Sequence, residues 1–173
     1  GTGAGMLRHG HSITDADDQK RAVALDYVFS MIDFAGRLDA PAILGSMQGR
    51  RTHDQALGQL ASGLRECAGR AARHGVPFIY EPLNRYETDL FNRIGPAAEF
   101  LDQQGLNNVV LLADLFHMNI EENDLPAAIR SAGRRIGHVH FADSNRQAMG
   151  FGHTDAAPII AAELRINDVT DGA

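Results

Sequence analysis

Three apolar runs in this 173-residue sequence each finish at a side chain able to bind a cation. Glu81 closes VPFIYE, Asp114 closes NVVLLAD, and His140 stands next to last in IGHVHF. In parallel α/β folds the residues just past the C-terminal strand ends gather at one site. Two carboxylates and an imidazole there present oxygen and nitrogen donors suited to a divalent metal. Taken singly, each has a structural explanation: Glu81 and Asp114 would cap the following helices, and His138 and His140 would be core histidines. Three consecutive strands ending this way favour the site, because buried carboxylates are costly unless paired or metal-bound.

The elements that must position these groups are legible from periodicity. Leu25, Val28, Phe29, Ile32 and Ala35 predict an amphipathic helix over about 17–38, with Thr14 or Asp15 as its cap. PAILGS, at 41–46, is of strand length, and Leu57, Leu60, Leu64, Cys67 and Ala71 predict a helix over about 53–73, stopped at His74-Gly75. Strands at 76–81, 108–114 and 136–141 alternate with helices near 94–104, 124–132 and 155–165. Nearly continuous apolar strands between helices mean a parallel sheet covered by helices, either a (β/α) barrel or an open doubly wound sheet. The count is four strand–helix units, preceded by a helix that has no strand of its own. GTGAGM opens the chain like a βα loop without its strand, and RINDVTDGA closes it without a hydrophobic strand. A complete (β/α)₈ barrel needs about 250 residues. The expectation is therefore a single partial TIM-barrel domain over 1–173, lacking its first strands and its last.

Composition narrows the function. Sixteen Lys+Arg against 22 Asp+Glu give a net charge of −6, poor for binding nucleic acid or an anionic membrane. The only lysine, Lys20, sits among Asp15, Asp17 and Asp18, so no desolvated Schiff-base lysine is available. The single cysteine, Cys67, excludes an intrachain disulfide or Cys-rich metal site. No apolar run approaches the roughly 18–20 residues of a membrane span, and no secretory segment is evident, so a cytoplasmic setting is expected.

The strings around the three residues are more specific than the residues themselves. EPLNRYETDLFN, DLFHMNIEEND and GHVHFADSNRQAMGFGHTD resemble the sugar-phosphate isomerase/epimerase family with the xylose-isomerase-like barrel. The likeness is strongest to its ketose (tagatose and psicose) 3-epimerases, with hydroxypyruvate isomerase as a cousin, and runs from GTGAG to about Glu163. It implies that Glu81, Asp114 and His140 hold a divalent metal, Mn²⁺ or Mg²⁺ first and Co²⁺ or Zn²⁺ as alternatives, with Glu81 also the catalytic acid/base. It implies that Glu87, His117 and Arg146 hydrogen-bond the substrate. The family's fourth ligand, a second catalytic glutamate on the last strand, has no counterpart; Glu163 lies in a helix-like stretch. Met149 stands where relatives often have proline. The implied reaction is removal of a proton next to a ketone through an enediolate, followed by return to the other face or to the adjacent carbon. A small sugar is the expected partner, with a homo-oligomer and neither nucleic acid nor membrane.

Two other readings stand beside this one: a catalytically inactive barrel fragment or binding module, and a metal-dependent phosphodiesterase of the AP endonuclease type. GTGAG imitates a dinucleotide loop but follows no strand. GSMQG has its serine misplaced for a nucleophile elbow. His9 and His11 are expected on a loop over the barrel mouth, His53 and His74 at helix ends on the surface, and His138 in the core one layer below His140. His153 and Asp155 either support the site or cap the next helix.

Overall fold

A computed structural model describes residues 1–168, with side chains described through Glu163. The order of elements is α1 (Gly3–His9), α2 (Asp18–Gly36), β1 (Ile43–Leu44), α3 (Ala56–Ala72), β2 (Phe78–Tyr80), α4 (Ile94–Gln103), β3 (Val109–Asp114), α5 (Leu115–Glu121), α6 (Leu125–Ala132), β4 (Ile136–His140) and α7 (Ala156–Asp168), with short 3-10 turns at Ser46–Gln48 and Gly133–Arg135. The strands form one parallel sheet in the order β1-β2-β3-β4. Each crossover carries at least one helix, as parallel pairing requires. Among the described residues β1 and β4 are paired on one side only, so the sheet is an open part of a barrel wall.

The pleat separates two faces. Leu44, Phe78, Tyr80, Val109, Leu111 and Ala113 belong to the core cluster shared with Val28, Leu60, Leu64, Cys67 and Leu101 of the helices. The opposite face carries Leu112, Asp114, His138 and His140, since Leu112 pairs with His138 and Asp114 with His140. Glu81 follows Tyr80, whose partner is Leu111, so its side chain falls on that second face too. A bulge between Leu111 and Leu112 brings β4 into this register, and Gly137 sits where any Cβ would strike Val110. Burial pushes the Cys67 thiol up to about 12, leaving it an inert core group.

Several local expectations need correction. GTGAG is not an open loop: the chain enters α1 at Gly3, after the Thr2 amide donates to the Ile43 carbonyl. Of its glycines Gly5 serves packing, because a Cβ there would lie 2.5 Å from Met47 Sδ and 2.9 Å from the Tyr27 ring. His9 is the last residue of α1 rather than part of a loop. The cap of α2 is Asp17, which accepts from Gln19 and Lys20 N–H at 2.8 and 3.1 Å, while Thr14 is buried and donates to the Gln48 carbonyl. The α5 helix was not expected, since LFHM continues the apolar run of β3 without a break in hydrophobicity. His138 is exposed, not buried, because among the described residues β4 is an edge strand and no further strand covers its inner side. Asp155 takes the capping role, accepting from the Ala157 amide at 3.1 Å. His74 sits just past α3 and meets Asp33 of α2, which also pairs with Arg70. The stretch 169–173 of RINDVTDGA lies outside the described residues, and its first part ends α7. Among the described residues no helix is long and apolar enough to cross a membrane.

Candidate active site

Glu81 is fixed through its main chain. Its N–H donates to the Leu44 carbonyl at 3.0 Å, and its carbonyl accepts from Gln48 Nε2 at 2.9 Å. The buried Gln48 amide also donates to the Gly45 carbonyl at 3.1 Å and accepts from the Tyr80 hydroxyl at 2.6 Å. This network ties β1, the 3-10 turn and β2 together beneath the carboxylate. Gly45 leaves the carboxylate its space: a Cβ there would lie 2.6 Å from Glu81 Oε2.

Asp114 serves two purposes. Its Oδ1 accepts from the Phe116 amide at 2.9 Å and so caps α5. Its Oδ2 lies 3.1 Å from His140 Nδ1, the neighbour that strand pairing sets beside it. Each of Glu81, Asp114 and His140 offers one donor atom, and the three donors lie within 4.8 Å of one another. Ligands around an octahedral ion with bonds near 2.1 Å stand ~3–4 Å apart, so the set fits a divalent cation with small adjustment. The electrostatics agree. Burial first, then the nearby Asp114 and Glu87 carboxylates, push Glu81 up to about 7. A cation at the shared point would relieve that repulsion.

The three residues expected to handle substrate surround this point. His117, buried on α5, has Nε2 3.9 Å from Glu81 Oε1 and Nδ1 3.9 Å from Glu87 Oε1. Burial is the main cause holding its pKa below the usual imidazole value, so the ring is neutral near pH 7. Arg146 reaches Glu87 Oε1 at 3.6 Å and lays its guanidinium over the Phe116 ring, 4.5 Å from the centroid. All six residues singled out in the sequence are thus assembled on one side of the sheet. His138 joins them only through its ring, 5.2 Å from that of His140.

Sequence reasoning missed the residues that hold this set in place. Asn84 touches His117 Nδ1 with both its amide nitrogens. Asp143, fully buried, accepts from the amides of Ser144, Gly150, Gly152 and Thr154 at 2.7–3.0 Å and shapes the loop that presents Arg146. Burial alone would raise Asp143, but those amides hold it well below the usual carboxylate range. Arg146 itself has φ 66°, a left-handed turn conformation uncommon for a side chain of its size. An aspartate followed at short range by two glycines was the available signal. Glu121 clamps Arg85 through both oxygens, and Glu122 accepts from the Ile94 amide and Arg93, so the glutamate pair after FHMNI anchors the loop 81–93.

With this geometry in view, the comparisons with known proteins are consistent. An L-ribulose 3-epimerase from a Methylomonas species is 35% identical over 124 residues, covering 72% of this chain and 43% of that protein. A D-psicose 3-epimerase from Ruminiclostridium cellulolyticum is 44% identical over 89 residues, 51% of this chain and 30% of that one. The 3-dehydro-D-guloside 4-epimerase of Escherichia coli is 35% identical over 112 residues, 65% and 43% of the two chains. Among solved structures, an L-ribulose 3-epimerase superposes with a TM-score of 0.83 at 31% identity, over 91% of this chain and 55% of that one. The chain spans less than half the length of these curated relatives. Residues 2–165 match the family described as the xylose isomerase-like TIM barrel, and the chain belongs to that family.

Proposed function

We propose that the protein epimerises a ketose, or a related keto-sugar, at the carbon next to the carbonyl. The observation that carries this reading is the convergence of Glu81, Asp114 and His140 beside His117, Glu87 and Arg146. The named reactions of the relatives, 3-epimerisation of ketoses and 4-epimerisation of a 3-dehydro sugar, share one step: exchange of a proton on a carbon adjacent to a ketone. A divalent cation held by Glu81, Asp114 and His140 would act as a Lewis acid, lowering the energy of negative charge on the sugar oxygens.

Glu81 is the base. Its main chain is pinned at the strand end by Leu44 and Gln48 and its carboxylate lies 3.9 Å from His117 Nε2, so it is held where it can take a proton from a sugar carbon placed beside the cation point. His117, neutral and buried, and Arg146, held against Phe116 and Glu87, fix the sugar's hydroxyl and carbonyl oxygens so that one face of the carbon meets Glu81.

The test is solvent exchange. Purified protein with Mn²⁺ in D₂O should place deuterium beside the carbonyl of D-psicose or L-ribulose, read by NMR, and form the 3-epimer. No exchange in either sugar, with the cation bound, would refute the reading. A second reading has its own observation: among the described residues the cation-capable group holds one glutamate, whereas inversion needs an acid on each face. On that reading this chain binds the sugar and exchanges its proton from one face only. Deuterium uptake without a new epimer would establish it.

A further inference from the structure

His117 is held by a set of hydrogen bonds that decides which of its nitrogens carries the proton. Its Nδ1 lies 3.2 Å from the Asn84 main-chain nitrogen and 2.8 Å from Asn84 Nδ2. A backbone N–H can only donate, so Nδ1 accepts there and bears no proton. The side-chain amide could be turned either way at first sight, but its surroundings choose. Asn84 Oδ1 accepts from the Tyr86 amide at 3.0 Å, and Asn84 Nδ2 has a second acceptor in Glu87 Oε1 at 3.5 Å. Reversing the amide would set its nitrogen against the Tyr86 N–H and its oxygen against the Glu87 carboxylate, losing both of those hydrogen bonds. Both donors from Asn84 therefore converge on one ring nitrogen, and the ring proton is left on Nε2, the nitrogen that faces Glu81 Oε1 at 3.9 Å.

We infer that Asn84 is a positioning residue that reserves Nδ1 of His117 as an acceptor and so presents Nε2–H to the substrate site. The consequence for chemistry rests on the proposed epimerase reading. A neutral imidazole N–H aimed at a sugar oxygen stabilises developing negative charge there, whereas the other tautomer would offer a lone pair to the same oxygen and repel it. Asn84 does this without touching substrate. It lies in the same EPLNRYE segment as Glu81 and Glu87, so the loop that supplies the base also sets the tautomer of the neighbouring donor.

The tautomer can be read directly by long-range ¹H–¹⁵N NMR of the imidazole in the ¹⁵N-labelled 173-residue chain, without substrate or cation. Expected for the native chain is an unprotonated Nδ1 and a protonated Nε2 on His117; a protonated Nδ1 overturns the inference. Asn84→Asp replaces the side-chain donor by an acceptor and should draw the proton to Nδ1. Asn84→Ala keeps the main-chain donor and should raise the Nδ1–H fraction by roughly two- to tenfold, the worth of one hydrogen bond. An unchanged His117 signal in either folded variant shows that the Asn84 side chain does not set the tautomer. In the epimerase assay Asn84→Asp should lower kcat at least tenfold with little change in KM, and an equal kcat in the variant and the native chain also overturns it. If the native chain turns over no ketose, the spectra still decide the tautomer, and the failure belongs to the epimerase reading alone.

Discussion

Replacing Glu81 by glutamine should make the cation-free protein more stable above neutral pH while destroying its function. The side chain is largely buried, and burial together with Asp114 and Glu87 raises it from 4.5 to about 7. A carboxyl raised in the folded state favours folding in its neutral form. Its contribution is fully present below pH 4.5, where both folded and unfolded chains are protonated, and is lost as pH rises through 7. At 1.36 kcal/mol for each pH unit, that interval corresponds to roughly 3 kcal/mol withdrawn between about pH 4.5 and pH 8. Glutamine is neutral throughout and of nearly equal shape, so it escapes this loss. Urea denaturation of both chains in the presence of a chelator, at pH 5 and pH 8, measures the difference. The variant should gain on the native chain by about 2–3 kcal/mol between the two pH values, with m unchanged. Adding Mn²⁺ at pH 8 should narrow the gap, because a ligand of the folded state stabilises the native chain by mass action and the variant less. A stability difference that does not vary with pH, or that favours the native chain at pH 8 without cation, would refute the claim that Glu81 sits in a charge-repelling pocket.

Other perturbations separate the roles of neighbouring groups. Asp114→Asn keeps an oxygen for the Phe116 amide, so thermal stability should change little while Mn²⁺ affinity by calorimetry falls more than tenfold. Gly45→Ala drives a methyl against Glu81 Oε2 and should weaken cation binding by about 10–100-fold without disturbing the far end of the sheet. Asp143→Ala leaves the amides of Ser144, Gly150, Gly152 and Thr154 without their acceptor; the urea midpoint should drop, and KM for the ketose should rise more than cation Kd as Arg146 loses its place.

The strands were legible because their runs are apolar almost throughout, and Glu81, Asp114 and His140 stood out at the C-terminal ends of three of them. The helices α2, α3 and α4 were legible for the same reason in another period: Val28 and Ile32, or Leu60, Leu64 and Cys67, recur on one side. What escaped was fixed by contacts between distant residues. No local pattern shows that Thr14 turns inward to Gln48 and leaves capping to Asp17, or that Gly5 is small because Met47 and Tyr27 crowd it. His138 was misplaced because its exposure depends on β4 being an edge, a property of the whole sheet. The residues expected to touch substrate carry recognisable chemistry; Gln48, Asn84 and Asp143, which hold them, are ordinary polar residues until their partners are seen.

Because one Asp114 carboxylate begins α5 with one oxygen and faces the cation point with the other, ion loading and helix geometry are mechanically in series. Drawing Oδ2 toward an ion shifts electron density and position at Oδ1, and the Phe116 amide feels both. The same seven-residue helix carries His117 toward Glu81 and ends in Glu121, which grips Arg85 on the loop that bears Glu87. Phe116 N–H would therefore be a gauge of cation binding built into the chain, at the start of a lever that extends from the cation point to the rim of the site.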